Sequence, residues 1–310
     1  MFRRTPKVFA AALAVAALTL GACAEKTTDA PATGGGSDTS FPVTVGSVTL
    51  EERPQKIISL SPSATEMLFA VGAGPQVVAV DDQSNYPADA PKSDLSGYQP
   101  NAEAIAAKDP DLVVLSDDRN KIVDQLTTLK IPVYQTPAVQ TLDESYRQMT
   151  ELGILTGNAT EAADVVQRMK DDIAKLVSEV PQRAQPLTYF HELGPELYTA
   201  TSKTFIGSIY SLAGLENIAD PADADGKNGG YPQLSQEVIV DADPDFIFLS
   251  DVKCCAQNAA TVKARSGWSA LTAVRQNQIV ELDDDIASRW GPRVVDLLRT
   301  IVDAIAKVSQ

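Results

Sequence analysis

Two segments of this chain, NAEAIAAKDPDLVVL at 101–115 and SQEVIVDADPDFIFL at 235–249, carry one pattern 134 positions apart. Each opens on a helix-capping residue, Asn101 or Ser235, and places Glu103 or Glu237 two positions later. Each then stops at Asp-Pro-Asp and runs into an apolar stretch of strand length. Six of the fifteen positions are identical. A reused helix-to-strand unit explains most of this, because a Glu in the first helical turn suits the helix dipole and Pro ends the helix. It does not explain one carboxylate at the same point of each half, so the chain is read as two similar lobes.

The surrounding pattern extends that reading. FPVTV and VTL are β-rich runs joined by Gly46-Ser47, the pair of a two-residue type II′ hairpin. KIISL is a buried strand, followed by a helix with Ser63-x-x-Glu66 as its capping box and Gly72 as its stop. Strands are expected at 75–80, 110–115 and 131–136, with helices from Asn101 and across 120–129. Short apolar strands alternating with helices predict a mainly parallel sheet covered on both faces. From Thr141 to Val180 the pattern turns helical, with Thr141-x-x-Glu144 as a capping box and Ala163, Val166, Met169, Ile173, Leu176 and Val180 on one face. Past Pro181 the alternation restarts at 187–190 and closes on a helix from Pro292. The predicted fold is therefore α/β: two Rossmann-like lobes, 41–140 and 186–310, joined through a helical region at 141–185 built on one long rigid helix, with a ligand cleft between the lobes.

Residues 1–22 put Arg3, Arg4 and Lys7 before a short uncharged apolar run, as an export signal does. Its end, Leu20-Gly21-Ala22-Cys23, resembles a bacterial lipobox, which makes Cys23 the lipidated first residue of the mature chain. Residues 23–40, small and polar with a GGGS core, read as a tether that cannot bury enough surface to fold. A lipid-anchored place on the outer face of the cell membrane follows. Loss of the three basic leader residues leaves 41 acidic against 23 basic side chains, a net of −18, which argues against a nucleic-acid partner.

RPQKIISLSPSATEMLFAVGAG, NYPADAP, the two repeated segments, GGYPQ and SRWGPRVVDLL together resemble the substrate-binding proteins of ABC importers for vitamin B12 and ferric siderophores, over about residues 41–308. The resemblance implies a monomer that binds a corrinoid or a ferric siderophore between its lobes and delivers it to an importer permease. It implies permease docking through Glu103 and Glu237, whose carboxylates suit bidentate recognition by arginine. It places cleft aromatics at Tyr98, Tyr198 and Tyr231, with Tyr86, Arg289 and Trp290 as further ligand contacts. The pattern departs at Gln83, Ser116 and Ile286, where the B12 binder carries aromatic side chains, so cobalamin, haem and siderophore stay open. An anionic siderophore would call on Arg119, Lys203, Arg289 and Arg293.

Other chemistry is thinly represented. The single histidine, His191, excludes a multi-histidine metal site, and no cofactor or metal is expected. GGGS lacks the following Lys-Ser/Thr of a phosphate loop. Asp283-Asp284-Asp285 reads as a solvated loop before it reads as a cation site. Cys254-Cys255, on a loop after a strand in an oxidising compartment, reads as a vicinal disulfide, with two free thiols as the alternative. An enzyme on the same scaffold lacks a nucleophile–base pair, and an adhesion or sensor module would have no use for two matched glutamates.

Overall fold

A computed structural model describes residues 39–308. The export signal, Cys23 and nearly all of the tether lie outside the described residues. The chain opens on an antiparallel hairpin, β1 (Val43–Val45) and β2 (Val48–Leu50), with Val43, Val45, Val48 and Leu50 buried on one face. Gly46 takes φ +55° and Ser47 does not turn positive, as a type II′ turn requires.

Two parallel sheets follow. The first has the order β5-β4-β3-β6-β7, formed by Lys92–Leu95, Val77–Asp81, Ile57–Leu60, Leu112–Leu115 and Val133–Gln135. The second has β9-β8-β10-β11, formed by Glu216–Asn217, Thr188–Glu192, Phe246–Leu249 and Ile279–Glu281. β3 and β8, β4 and β9, β6 and β10, and β7 and β11 hold equivalent places; β5 has no counterpart. The central strands are buried along their whole length. Their alternate side chains divide between cores: Ile57, Leu112, Val114, Phe246 and Phe248 join one cluster shared by both sheets. Ile58, Val113 and Leu115 face a separate layer, and Ile247 and Leu249 another. The shared inner core makes one compact unit of the two sheets.

The joining region holds the expected long helix, Ala159–Glu179, and a shorter one before it. Leu142–Thr156 begins on the expected capping box of Thr141 and Glu144 and ends at Gly157, and Ala159–Glu179 then packs along it. A Cβ at Gly153 would stand 2.3 Å from Cβ of Ala162, so only glycine permits that approach. The buried face of the longer helix carries Ala162, Val165, Val166, Met169, Ile173 and Leu176, and Ala163 is exposed. Val166, Met169, Ile173 and Leu176 lie on the face expected, and only at the first turn does Ala162 replace Ala163. A second correction concerns helix Pro62–Ala70. Its cap is Ser61, whose hydroxyl accepts from the Ala64 amide, with Pro62 in the first turn. Ser63 caps nothing, and Glu66 is released for another task.

Candidate functional site

The repeated segments fold alike. Asn101 Oδ1 accepts from the Ala104 amide at 2.9 Å, and Ser235 Oγ from the Val238 amide at 3.2 Å. Asp109 and Asp243 take left-handed φ values of +50° and +43° after the helix ends. The second aspartate of each triplet then ties down the entry of a neighbouring strand. Asp111 Oδ2 accepts from the Gln55 and Lys56 amides at 2.7 and 2.9 Å. Asp245 Oδ2 accepts from the amide and hydroxyl of Thr188 at 2.8 and 3.2 Å. Capping, helix termination and strand entry thus account for the conserved frame of the pattern. Glu103 and Glu237 are left over: both are exposed, in the first turns of helices Ala102–Ala106 and Gln236–Ala242, and neither forms an ion pair with a described residue.

The C-terminal ends of the two sheets meet. Asn85, four residues past β4, donates to Asp285, four residues past β11, at 3.0 Å. The loops that follow the strand ends expose two tyrosines in each lobe: Tyr86 (45%) and Tyr98 (68%) after β4 and β5 in the first, Tyr198 (48%) and Tyr231 (45%) after β8 and β9 in the second. Only Val78, Leu129 and Val238 are comparably exposed large apolar side chains among the described residues, so exposed aromatic surface is concentrated in these four. Strand-like pairing of Tyr198 with Gln233, and of Thr201 with Gly230, brings Tyr198 and Tyr231 onto one ribbon. Tyr98 lines an open concavity with Asp82, Gln83, Ser96 and Gln99, and the Arg119 guanidinium lies 4.4 Å from its ring centre. A larger groove, between the free edge of β11 and the last helix, shares no residue with the tyrosines.

Two expected ligand contacts are internal instead. Arg289 is 8% exposed, and its guanidinium is spent on Glu66, Asn85, Asp285 and the Gln83 carbonyl. Trp290 is half-buried against the shared core, its indole donating to Gln148 at 2.9 Å. The acidic run is not a solvated loop. Asp284 accepts from the amides of Val252, Lys253 and Cys254, and Asp283 and Asp285 pair with Lys253. These bonds pin a short helix, Val252–Cys255, where a loop was expected, and within it Cys254 and Cys255 are exposed and joined as neighbours. Among the described residues no group of three or more His, Cys, Asp or Glu side chains converges as metal ligands.

His191 is fully buried between the Tyr210 hydroxyl at 2.8 Å and the Ser250 hydroxyl at 3.1 Å, and burial lowers its pKa to about 3. It is a neutral structural side chain. Next to it lies a charged cluster that the sequence pattern did not reveal. Glu192 is clamped by Arg265 through bonds of 2.6 and 2.5 Å, and Asp251 sits buried with neither carboxylate oxygen receiving a hydrogen bond. Burial first, and the Glu192 charge second, raise the Asp251 pKa. The missed signal was an acidic residue closing strand Thr188–Glu192 and another two positions past the apolar strand Phe246–Leu249.

Residues 57–286 match the model of the periplasmic binding protein family. A cobalamin-binding protein of Halobacterium salinarum is 34% identical over 86% of this chain and 74% of its own length. An uncharacterized ABC transporter substrate-binding lipoprotein of Bacillus subtilis is 29% identical over 95% of both chains. The crystal structure of the periplasmic vitamin B12 binding protein of Vibrio cholerae, 27% identical, covers 82% of this chain and 97% of its own with a TM-score of 0.64. Matched lobes, strand ends that meet and the family model spanning most of the folded region agree: this chain belongs to the periplasmic binding protein family.

Proposed function

We propose that this chain is the lipid-anchored binding protein of an ABC importer, and that the cleft between its lobes captures a corrinoid-class macrocycle. The observation that carries the ligand class is the distribution of charge at the strand ends. Four tyrosines stand exposed there, whereas of the four basic side chains available to an anion Arg289 and Arg293 are spent on Glu66 and Arg119 is paired with Asp117, which leaves Lys203 as the one without a carboxylate partner among the described residues. Broad aromatic faces suit a large ring whose rim is uncharged; a polyanion would need free guanidinium or ammonium groups. The names of the Halobacterium and Vibrio relatives support the same class. Binding and hand-over need no nucleophile, and the one serine–imidazole contact among the described residues, Ser250 with His191, involves a fully buried neutral imidazole.

Glu103 and Glu237 dock the protein on arginines of the permease, and Cys23 carries the anchor; the Bacillus relative is named a lipoprotein. Titration of intrinsic Tyr and Trp fluorescence with cyanocobalamin, haem and a ferric hydroxamate tests the ligand class. Cyanocobalamin is expected to bind at least about tenfold more tightly than the other two, a gap of ~1.4 kcal/mol. Equal or tighter binding of the ferric hydroxamate would sink the corrinoid assignment. A mature N-terminus without diacylglycerol on Cys23 would sink the anchor.

A further inference from the structure

A carboxylate buried at a lobe junction has to be matched by positive charge and by hydrogen bonds, or the fold does not tolerate it. Glu66, on helix Pro62–Ala70 of the first lobe, is such a group: it is 2% exposed, and its partners are two arginines from the far end of the chain. Arg289 Nη1 donates to its Oε1 at 2.9 Å, while Arg293 Nε and Nη2 donate to Oε2 at 3.0 Å and Oε1 at 2.5 Å. One carboxylate against two guanidinium groups leaves a positive charge over. Asp285 accepts from Arg289 Nη2 at 2.8 Å, and it shares Lys253 with Asp283, so three basic side chains face three carboxylates here.

The cluster also reaches into the loop that carries Tyr86. Arg289 donates to Asn85 Oδ1 at 2.9 Å and to the Gln83 carbonyl at 3.1 Å; Asn85 donates in turn to Asp285. The Arg293 guanidinium stacks 4.1 Å from the centre of the Tyr86 ring. The first-lobe loop 82–86 is therefore held from outside, by second-lobe side chains whose own position is fixed by the buried Glu66.

We propose that Arg289 is a positioning residue of the cleft: locked by Glu66, it presets loop 82–86 and Tyr86 before ligand arrives. This rests on the reading of the cleft as the ligand site. A loop preset in this way removes the penalty that a ligand meets when only a fraction of the protein is binding-competent. It also restrains lobe closure independently of the joining helices, because opening the junction would strand the Glu66 charge.

The discriminating variant is Asn85→Ala, which removes the side-chain link from the loop to Arg289 and Asp285, keeps the Arg289 bond to the Gln83 carbonyl, and leaves Glu66, Arg289, Arg293 and Asp285 matched. Hydrogen exchange of the amides at 82–86 should rise at least severalfold while the thermal midpoint hardly moves. Affinity for cyanocobalamin should fall about tenfold, as expected if the competent loop population drops to roughly one tenth. Arg289→Gln should do both more strongly, and Arg289→Lys should restore little, since an ammonium cannot bridge Glu66, Asn85 and Gln83 together. If Arg289→Gln does not fold, Asn85→Ala still decides. Unchanged exchange at 82–86 overturns the positioning role, and so does a loosened loop with unchanged affinity. If the unaltered protein does not bind cyanocobalamin, the ligand class has failed instead, and exchange together with scattering from the ligand-free variants still tests the lock: an unloosened loop and an unchanged scattering profile refute it.

Discussion

The two lobes end their central strands in opposite ways. Aligning the repeated segments and following the strand registers makes Leu60 the counterpart of Glu192, Ser59 that of His191, and Asp117 that of Asp251. At these three places the first lobe buries one polar group, the Ser59 hydroxyl; its buried carboxylates, Glu66 and Asp81, lie elsewhere. Ser59, Thr65 and Ser84 form a chain with 2.8 Å links, and Asp117 is out in solvent beside Arg119. In the second lobe the same places hold a buried imidazole and two buried carboxylates against one guanidinium, which also lies 4.5 Å from the Trp268 ring centre. One backbone plan accepts either solution, but the charged one leaves no slack: a single Arg265 faces two buried carboxylates, and burial together with the Glu192 charge raises the Asp251 pKa.

The largest expected effect breaks that match. Arg265→Leu leaves Glu192 and Asp251 buried without a cation and should cost about 3–5 kcal/mol of unfolding free energy. Arg119→Leu, at the exposed pair of the first lobe, should cost no more than ~1 kcal/mol. Comparable losses for the two variants in denaturant titrations would erase the contrast between the lobes.

The next effect is on pH. Folded Asp251 keeps its proton at pH values where the unfolded chain has lost it, so the native state binds more protons, and stability falls as pH rises from the ordinary carboxylate range towards neutrality. His191 acts in the other direction. Below its ordinary value of 6.5 the unfolded chain takes up a proton, while the folded imidazole stays neutral down to about 3, so stability falls as pH drops through that window. Asp251→Asn should remove only the first slope. Its stability relative to the unaltered protein should therefore improve steadily from about pH 4 to about pH 7 and level off above that. A difference that is flat with pH would mean that Asp251 is ionised in the fold.

Much of this architecture was legible in the sequence, and the reasons are local. Capping residues, Asp-Pro-Asp stops and short apolar runs are read within one element, and they gave the strands, most helix starts and the parallel sheets. The four tyrosines were reached through family resemblance; all four are exposed, which leaves their role in ligand binding to be tested. What was not legible depends on partners far away in the chain. Glu66 reads as the close of a capping box until Arg289 and Arg293, more than 220 positions later, are brought against it. The same holds for Arg289 itself, which is a ligand contact by residue type and a junction residue by position. The break at Gly157 went unread because both flanking segments share one helical period.

A smaller effect separates the two copies of the repeat. Asp245 is half-buried and binds both the amide and the hydroxyl of Thr188, whereas Asp111 is exposed where it receives the Gln55 and Lys56 amides. Hydrogen bonds to a charged group are worth about 1.5–3 kcal/mol when water is excluded and less when it competes. Asp245→Ala is expected at about 2 kcal/mol and Asp111→Ala at about 1 kcal/mol. The reverse order would show that strand entry in the first lobe is the more demanding of the two.

The smallest effect on stability belongs to the pair that makes the copies most alike. Glu103 and Glu237 are exposed in the first turns of short helices and touch no described cation, so each alanine should cost only about 0.3–1 kcal/mol through the helix dipole. Neither glutamate is bonded to the tyrosine ribbon or to loop 82–86, so affinity for the cleft ligand should be unchanged in the double variant. Delivery is another matter. A protein that must seat both lobes on one permease loses its register when either carboxylate goes and its attraction when both go, because charge pairs at an interface set orientation and encounter rate more than they set bulk affinity. Transport into vesicles carrying the cognate permease should drop for each single variant and vanish for Glu103→Ala with Glu237→Ala, with ligand binding intact throughout. Normal transport by the double variant would return both glutamates to the helix dipole, and loss of ligand binding would move them into the cleft.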